Sequence, residues 1–216
     1  MPRLKPDVQR KRREHILDAA ELCFAQAGFH RTTMQDICRE ARVSPGALYI
    51  YFNSKEALIA GIAERDRAAF QSRFAALADS PDVMAALSEM GNQYFVDEPV
   101  HKRKLCVEIG LEATRNDVVG EIYRSVDALV HESFEALFQR LKDDGRIRPS
   151  LDIPVLASVF MTIGDGLFWR RATDPGFDPK ATLPAVMQVI GALLNPITDP
   201  STAGAAPVPE PAEASR

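Results

Sequence analysis

The sequence predicts an all-α protein of about nine helices, a short three-helix head joined to a larger helical body. Three observations lead there. Apolar residues recur at three- and four-residue spacing along most of the 216 residues and nowhere alternate with polar ones. The breaks between these stretches are clusters of Gly, Pro, Asn and Asp, which stop helices. Residues 32–56, TTMQDICREARVSPGALYIYFNSKE, place two helix starts close together, so two short helices must share one turn.

Met1 to Asp7 is polar with two prolines and reads as mobile. The first helix opens on the basic run Arg10 to Arg13; Ile16, Ala20, Cys23, Phe24 and Ala27 form its apolar stripe, and Gly28 ends it. Thr33 with Asp36 makes a capping box, and Ile37 and Ala41 give the next helix its buried side. Ser44 is a second N-cap, with Pro45 at the first helical position, where a missing N–H costs nothing. Leu48 and Phe52 anchor this helix from behind, and Asn53 with Glu56 can cap the one after it.

A longer helix from Ser54 to about Leu77 carries Leu58, Ile62, Phe70 and Phe74 and belongs to head and body alike. Asp79-Ser80-Pro81 stops it. Val83–Val96, Lys102–Thr114 and a long helix from Asn116-Asp117 to Lys142 follow, the last closed by Asp143-Asp144-Gly145. Ile153–Ala172 and Leu183–Leu194 complete the body. Asn195 and Pro196 end the fold, and the remainder is rich in Pro, Ala and Ser and reads as disordered. The expected division is residues 10–55, 56–195 and a tail of 196–216.

Composition bounds the function. Hydrophobic content of 46% and charged content of 26% suit a soluble globular protein. The net charge of −4 conceals a division: residues 1–55 hold ten Lys/Arg against six Asp/Glu (+4), leaving sixteen against twenty-four (−8) for the rest. A basic head on an acidic body suits a nucleic-acid-binding unit joined to one that avoids nucleic acid. The three cysteines, Cys23, Cys38 and Cys106, form no CxxC pair and read as reduced thiols. No apolar run reaches membrane-spanning length and the basic N-terminus leads into no apolar segment, so a cytoplasmic protein is expected. Histidines at 15, 30, 101 and 131 have no metal-ligand spacing, and neither a Gly-rich phosphate loop nor a GxSxG elbow occurs. Neither metal, cofactor nor catalysis is expected.

A helix, a tight turn and a second short helix is the layout of a reader of the DNA major groove. Gly46 and Ala47 are small enough for close approach to base edges, Ser44 is a phosphate donor, and Tyr49 and Lys55 can reach backbone phosphates. A surface helical hairpin without a ligand has the same caps. The stretch SPGALYIYFNSKEAL, preceded by TTMQDICREARV and by a helix ending in Gly28-Phe29, closely resembles the DNA-binding domain of TetR/AcrR-type transcriptional regulators over about residues 10–60. Two positions depart from that pattern. Arg42 stands where the family usually has Gly, and pays a modest penalty if its backbone is left-handed. Ile50 replaces a frequent polar reader and can meet a thymine methyl but donate nothing. The residues expected to meet DNA are Arg12, Thr33, Arg42, Ser44, Pro45, Gly46, Ala47, Tyr49, Ile50, Tyr51 and Lys55.

One reading helix spans too few base pairs, so a second copy is required, and two copies about 34 Å apart read a palindrome. The resemblance implies dimerisation through the last two helices. Their stripes, Leu156, Phe160, Ile163 and Leu167 with Leu183, Val186, Met187, Ile190 and Leu194, either complete the core or form a four-helix interface. The resemblance also implies an internal pocket for a small-molecule effector. Phe74, Met90, Tyr94, Ile109, Phe134, Phe138, Met161, Phe168 and Trp169 are candidate walls, and Glu112, His131 and Asp165 candidate polar contacts. Such residues at helical spacing equally make an ordinary core. Aromatic walls suggest an amphipathic or aromatic effector that releases a repressor from its operator. Two other readings compete: a regulator governed by a protein partner or by cysteine oxidation, and an enzyme built on a buried Glu112–His131 pair.

Overall fold

The computed structural model describes residues 6–197, which form α1 (Pro6–Ala27), α2 (Met34–Glu40), α3 (Pro45–Tyr51), α4 (Lys55–Ala78), α5 (Val83–Asn92), α6 (Val100–Glu112), α7 (Asp117–Asp143), α8 (Ile153–Thr173) and α9 (Pro179–Leu194). A π-helical turn, Gln93–Asp97, follows α5 without a break. The only β-type pairing among the described residues is a single bridge, Ile147 with Pro196.

The head folds as its caps dictate. Thr33 Oγ1 accepts from Asp36 N at 3.1 Å while Thr33 N donates to Asp36 Oδ2 at 2.9 Å, satisfying two end groups reciprocally. Asp36 Oδ2 also accepts from the Thr33 hydroxyl, and these bonds hold its carboxyl below the usual range. Ser44 Oγ caps α3 through Ala47 N at 3.2 Å, with Pro45 first in the helix. Between α2 and α3, Arg42 has φ +51°, and Val43 N to Cys38 O (3.0 Å) with Arg42 N to Arg39 O (3.3 Å) close a Schellman turn. Arginine thus carries the left-handed penalty that glycine would avoid. His15 Nε2 donates to Ala41 O at 2.9 Å, tying α1 to this turn. Gly28, at φ +81°, ends α1.

Several boundaries differ from the sequence expectation, among them α5, which gives way to the π-helical turn after Asn92, and α6, which starts at Val100 and ends at Glu112. Helix α1 begins at Pro6, because proline is tolerated in a first turn, so Pro6 and Asp7 are helical. Helix α4 is capped by Ser54, whose hydroxyl accepts from Ala57 N at 3.1 Å, rather than by Asn53. Helix α9 begins before Leu183: Asp178 Oδ1 accepts from Lys180 N (2.9 Å) and Ala181 N (3.3 Å), Pro179 follows as first residue, and the helix runs on through Pro184. At the C-terminus, Ile197 N donates to Arg146 O at 2.9 Å, so the fold continues past Asn195. Residues 1–5 and 198–216, where the mobile start and disordered tail were expected, otherwise lie outside the described residues.

Two cores organise the molecule. The first joins Ile16, Leu17, Phe24, Ile37, Leu48, Phe52, Leu58 and Ile62 of the head to Leu105 of α6 and Val119 of α7, with Ile109, Ala113 and Ile122 against it. The second fills the body around five phenylalanines: Phe134 lies 5.3 Å from Phe74 (edge-on), 6.3 Å from Phe70, 5.9 Å from Phe138 and 4.5 Å from Phe160, centroid to centroid. Each such ring buried contributes about 1.5–3 kcal/mol. Helix α4 spans both cores, with Leu58 and Ile62 in one, Phe70 and Leu77 in the other. No helix among the described residues is long and apolar enough to cross a membrane.

Candidate nucleic-acid interface and internal cavity

Helix α3 divides cleanly. Leu48 and the following Phe52 are buried, whereas Tyr49 is 53% exposed and Ile50 80% exposed. Ser44, Pro45 and Gly46 are also exposed, as are Arg12, Thr33 and Arg42. Ala47 is half-buried. A Cβ added to Gly46 would meet nothing within 4 Å, so packing inside the protein does not require glycine there.

Three residues of the expected set or beside it are committed elsewhere. Tyr51 is half-buried against the head core. Lys55 donates through Nζ to Phe29 O at 2.5 Å and lies 4.3 Å above the Phe29 ring, so its ammonium locks the α1–α2 loop. Within the basic run, Arg13 pairs with Glu64 at 2.6 Å and stacks over Phe52 at 5.4 Å. Arg13 therefore fixes α1 against α4, while Arg12 remains exposed.

Helix α6 connects head and body as directly as α4 does. Its Glu108 Oε1 accepts from Phe29 N at 2.6 Å, and buried Glu112 pairs through Oε2 with His30 Nε2 at 2.9 Å. Farther on, Asn116 Nδ2 donates to Glu56 Oε1 at 3.3 Å. On the other side, Arg65 of α4 pairs with Glu14, Asp18 and the buried Glu21 of α1. Burial raises the Glu21 carboxyl despite the arginine beside it.

The body holds a partly open cavity of about 290 Å³ between α4, α5, the π-helical turn, α6, α7, α8 and α9. Met90, Tyr94, Phe134, Met161, Asp165 and Phe168 line it, as their sequence positions suggested. The other candidates do not. Phe74 and Phe138 pack into the phenylalanine cluster behind the wall. Ile109 and Glu112 sit at the head contact, because the last turns of α6 face α1. His131 is on the outer side, bonded to Ser158 Oγ at 3.2 Å and 3.7 Å from Glu135. Trp169 points outward and is 57% exposed. Glu112 pairs with His30, so no Glu112–His131 pair exists.

The stripes expected at a dimer interface face inward instead. Leu156 and Leu194 are buried in the second core; Phe160, Ile163, Leu167, Leu183, Val186, Met187 and Ile190 line the cavity. The widest apolar stripe of a helix is the one that closes against its own chain. On the reverse faces, Val155 (50%), Trp169 and Val189 (53%) are exposed together with Gly166, Ala185 and Ala192.

Sequence reasoning missed the polar end of the cavity. Buried Arg103 pairs with Glu98 Oε2 and lies 4.3 Å over the Phe168 ring, and Arg73 donates to Glu98 Oε1 at 2.9 Å and stacks 4.7 Å over Tyr94. Burial pushes the Tyr94 hydroxyl up, and burial with Asp127 nearby pushes up the Asp165 carboxyl. Cys106 lines the hollow and is exposed, yet the protein packed around its thiol pushes it up as well. The signal was EPVHKRK, where Arg103 passes for part of a solvated charge run. A second concavity, about 300 Å³ between the end of α1, α6 and the end of α8, is a wide surface crevice around Gly28 and Glu108 rather than an enclosed chamber.

Comparison with known proteins agrees with this architecture. Residues 16–62 match the profile described as bacterial regulatory proteins, tetR family, and residues 81–195 match that of the BetI-type transcriptional repressor C-terminal domain. The HTH-type transcriptional repressor Rv1474c of Mycobacterium tuberculosis is 30% identical over 190 residues, covering 88% of this chain and 96% of its own. Salmonella enterica GusR superposes with a TM-score of 0.72 at 29% identity, over 86% of this chain and 96% of that one. SmeT in its triclosan complex shares the fold, with a TM-score of 0.71 at 24% identity over 94% and 100%. The chain therefore belongs to the tetR family of bacterial regulatory proteins, a family of transcriptional regulators rather than enzymes, and carries a BetI-type C-terminal half.

Proposed function

We propose that the protein is a homodimeric, cytoplasmic repressor that binds a palindromic operator through α3 and leaves it when a small amphipathic or aromatic effector fills the cavity. The observation that carries this reading is Ile50, an aliphatic side chain held 80% in water at the centre of an otherwise well-anchored helix. An apolar group so placed serves the fold nothing, but it fits a thymine methyl. Ser44, Gly46, Tyr49 and Arg12 surround it and supply phosphate contacts and close backbone approach. Thr33, Arg42, Pro45 and Ala47 complete the surface, whereas Tyr51 and Lys55 position it from behind.

Dimerisation is assigned to the reverse faces of α8 and α9, around Val155, Gly166, Trp169, Ala185 and Val189. The effector acts by binding better to a form in which the two reading helices are wrongly spaced, and it lowers operator affinity by that difference. Helices α4 and α6 both reach from the cavity wall to the head, α6 gripping the Phe29–His30 loop through Glu108 and Glu112. The cavity and SmeT's capture of triclosan in the same fold support the effector half of the reading. No cofactor takes part.

Selection of bound fragments from random duplex DNA tests this directly. A palindrome with half-sites about one helical turn apart is expected, and Ile50→Ala should change the preferred sequence whereas Tyr49→Ala weakens all sequences alike. Recovery of asymmetric or unenriched fragments would overturn the proposal.

A further inference from the structure

At the polar end of the cavity several guanidinium groups crowd around one carboxylate. Arg73 and Arg103 share the two oxygens of one carboxylate, Glu98. Arg171 stands behind them, donating to the carbonyls of Tyr94 (3.2 Å), Val96 (2.8 Å) and Glu98 (2.5 Å), and the Arg103 charge beside it adds to burial in pushing it down. Lys102 faces Asp66 at 3.6 Å. Three guanidinium groups, Arg73, Arg103 and Arg171, thus have a single carboxylate, Glu98, within ion-pair distance of any of them among the described residues, at the edge of a chamber whose walls are mainly apolar. An uncompensated charge in such surroundings is costly. Arg103 is only 5% exposed, and its Nε is buried with no hydrogen-bond partner among the described residues. The π-helical turn that carries Tyr94 and leads into Glu98 is the kind of irregularity found at ligand sites.

We propose that the effector is an anionic amphiphile whose carboxylate seats on Arg103 and Arg73, with its apolar portion lying among Phe70, Phe134, Met161 and Met187. This rests on the cavity being the effector site. The incoming carboxylate supplies a second anionic partner for the two arginines that share Glu98 and an acceptor for Arg103, and the guanidinium fork suits it bidentately.

Calorimetric titration of the full-length protein with decanoate, decanol and decylamine, which share one chain and differ in head, tests the assignment. Decanoate should bind roughly tenfold or more tighter than decanol, as a charge-assisted bond implies, with decylamine weakest. Arg103→Met should erase the preference for decanoate while decanol still binds, and Glu98→Gln should enlarge it, a change opposite in sign to simple damage. Equal binding of decanoate and decanol, tightest binding by decylamine, or an unenlarged preference in Glu98→Gln would overturn the proposal and leave the cavity standing as effector site. Failure of all three ligands to bind would remove the cavity reading and the proposal with it.

Discussion

Gly46→Ala separates what the fold wants from what the operator wants. Gly46 is the second residue of α3, and a Cβ there meets open space, so alanine fits without strain. Glycine within a helix costs roughly 0.5–1 kcal/mol relative to alanine, and the substitution returns that amount to stability. For a domain of this size the gain corresponds to a rise in Tm of about 1–4 °C. On the DNA side the sign reverses. Ser44 Oγ already occupies Ala47 N, which leaves the Gly46 N–H as the free donor of the first turn, and a methyl beside it holds a phosphate away. Loss of one charge-assisted bond of about 1.5–3 kcal/mol weakens binding roughly tenfold or more. Thermal melting and fluorescence anisotropy with a selected operator, at one salt concentration, read both quantities. A stabilised variant with unchanged operator affinity would refute the placement of α3 against the duplex.

Four further outcomes follow from the geometry. Arg42→Gly relieves a left-handed backbone costing about 1–2 kcal/mol against a glycine entropy cost of roughly 0.5–1, so urea unfolding should show a net gain of about 0.5–1 kcal/mol. Gly61→Ala places a Cβ 2.8 Å from the Phe52 ring and 3.0 Å from Leu17, and should cost about 1–3 kcal/mol in the same assay. Glu108→Ala removes the acceptor of Phe29 N; it should lower operator affinity while leaving the calorimetric isotherm for decanoate unchanged. The Glu56 carboxyl is held below its ordinary 4.5 by backbone and side-chain hydrogen bonds. Its contribution is therefore present above that value and lost as pH falls through the lower folded pKa, and Glu56→Gln should flatten this part of the acid-unfolding curve.

Much of the head was legible because its signals are local. A capping box, a Ser-Pro start and a Gly stop act within four residues and need no knowledge of the rest of the chain. The same locality fell short at α9, expected from Leu183, because Asp178-Pro179 had already begun the helix. The cavity was legible only in part. Periodicity shows that Phe134 and Phe138 share a face of α7, but not that one lines the hollow and the other packs behind it. Arg103 was hidden because burial of a guanidinium depends on Glu98 and Phe168, the latter 65 positions away. Likewise, spacing alone left the stripe of α8 open between core and partner surface.

That Leu105 and Val119 complete the hydrophobic interior of the head bears on how such regulators can be recombined. A fragment cut after Lys55 would remove Leu58, Ile59, Ile62, Leu105 and Val119 from the core to which Leu48 and Phe52 belong. A graft of this reading unit onto a foreign sensor must carry the start of α4, the last turns of α6 and the first of α7 along with it. The transplantable piece is a patchwork of two sequence segments, and the DNA specificity of the molecule is inherited together with part of its sensor.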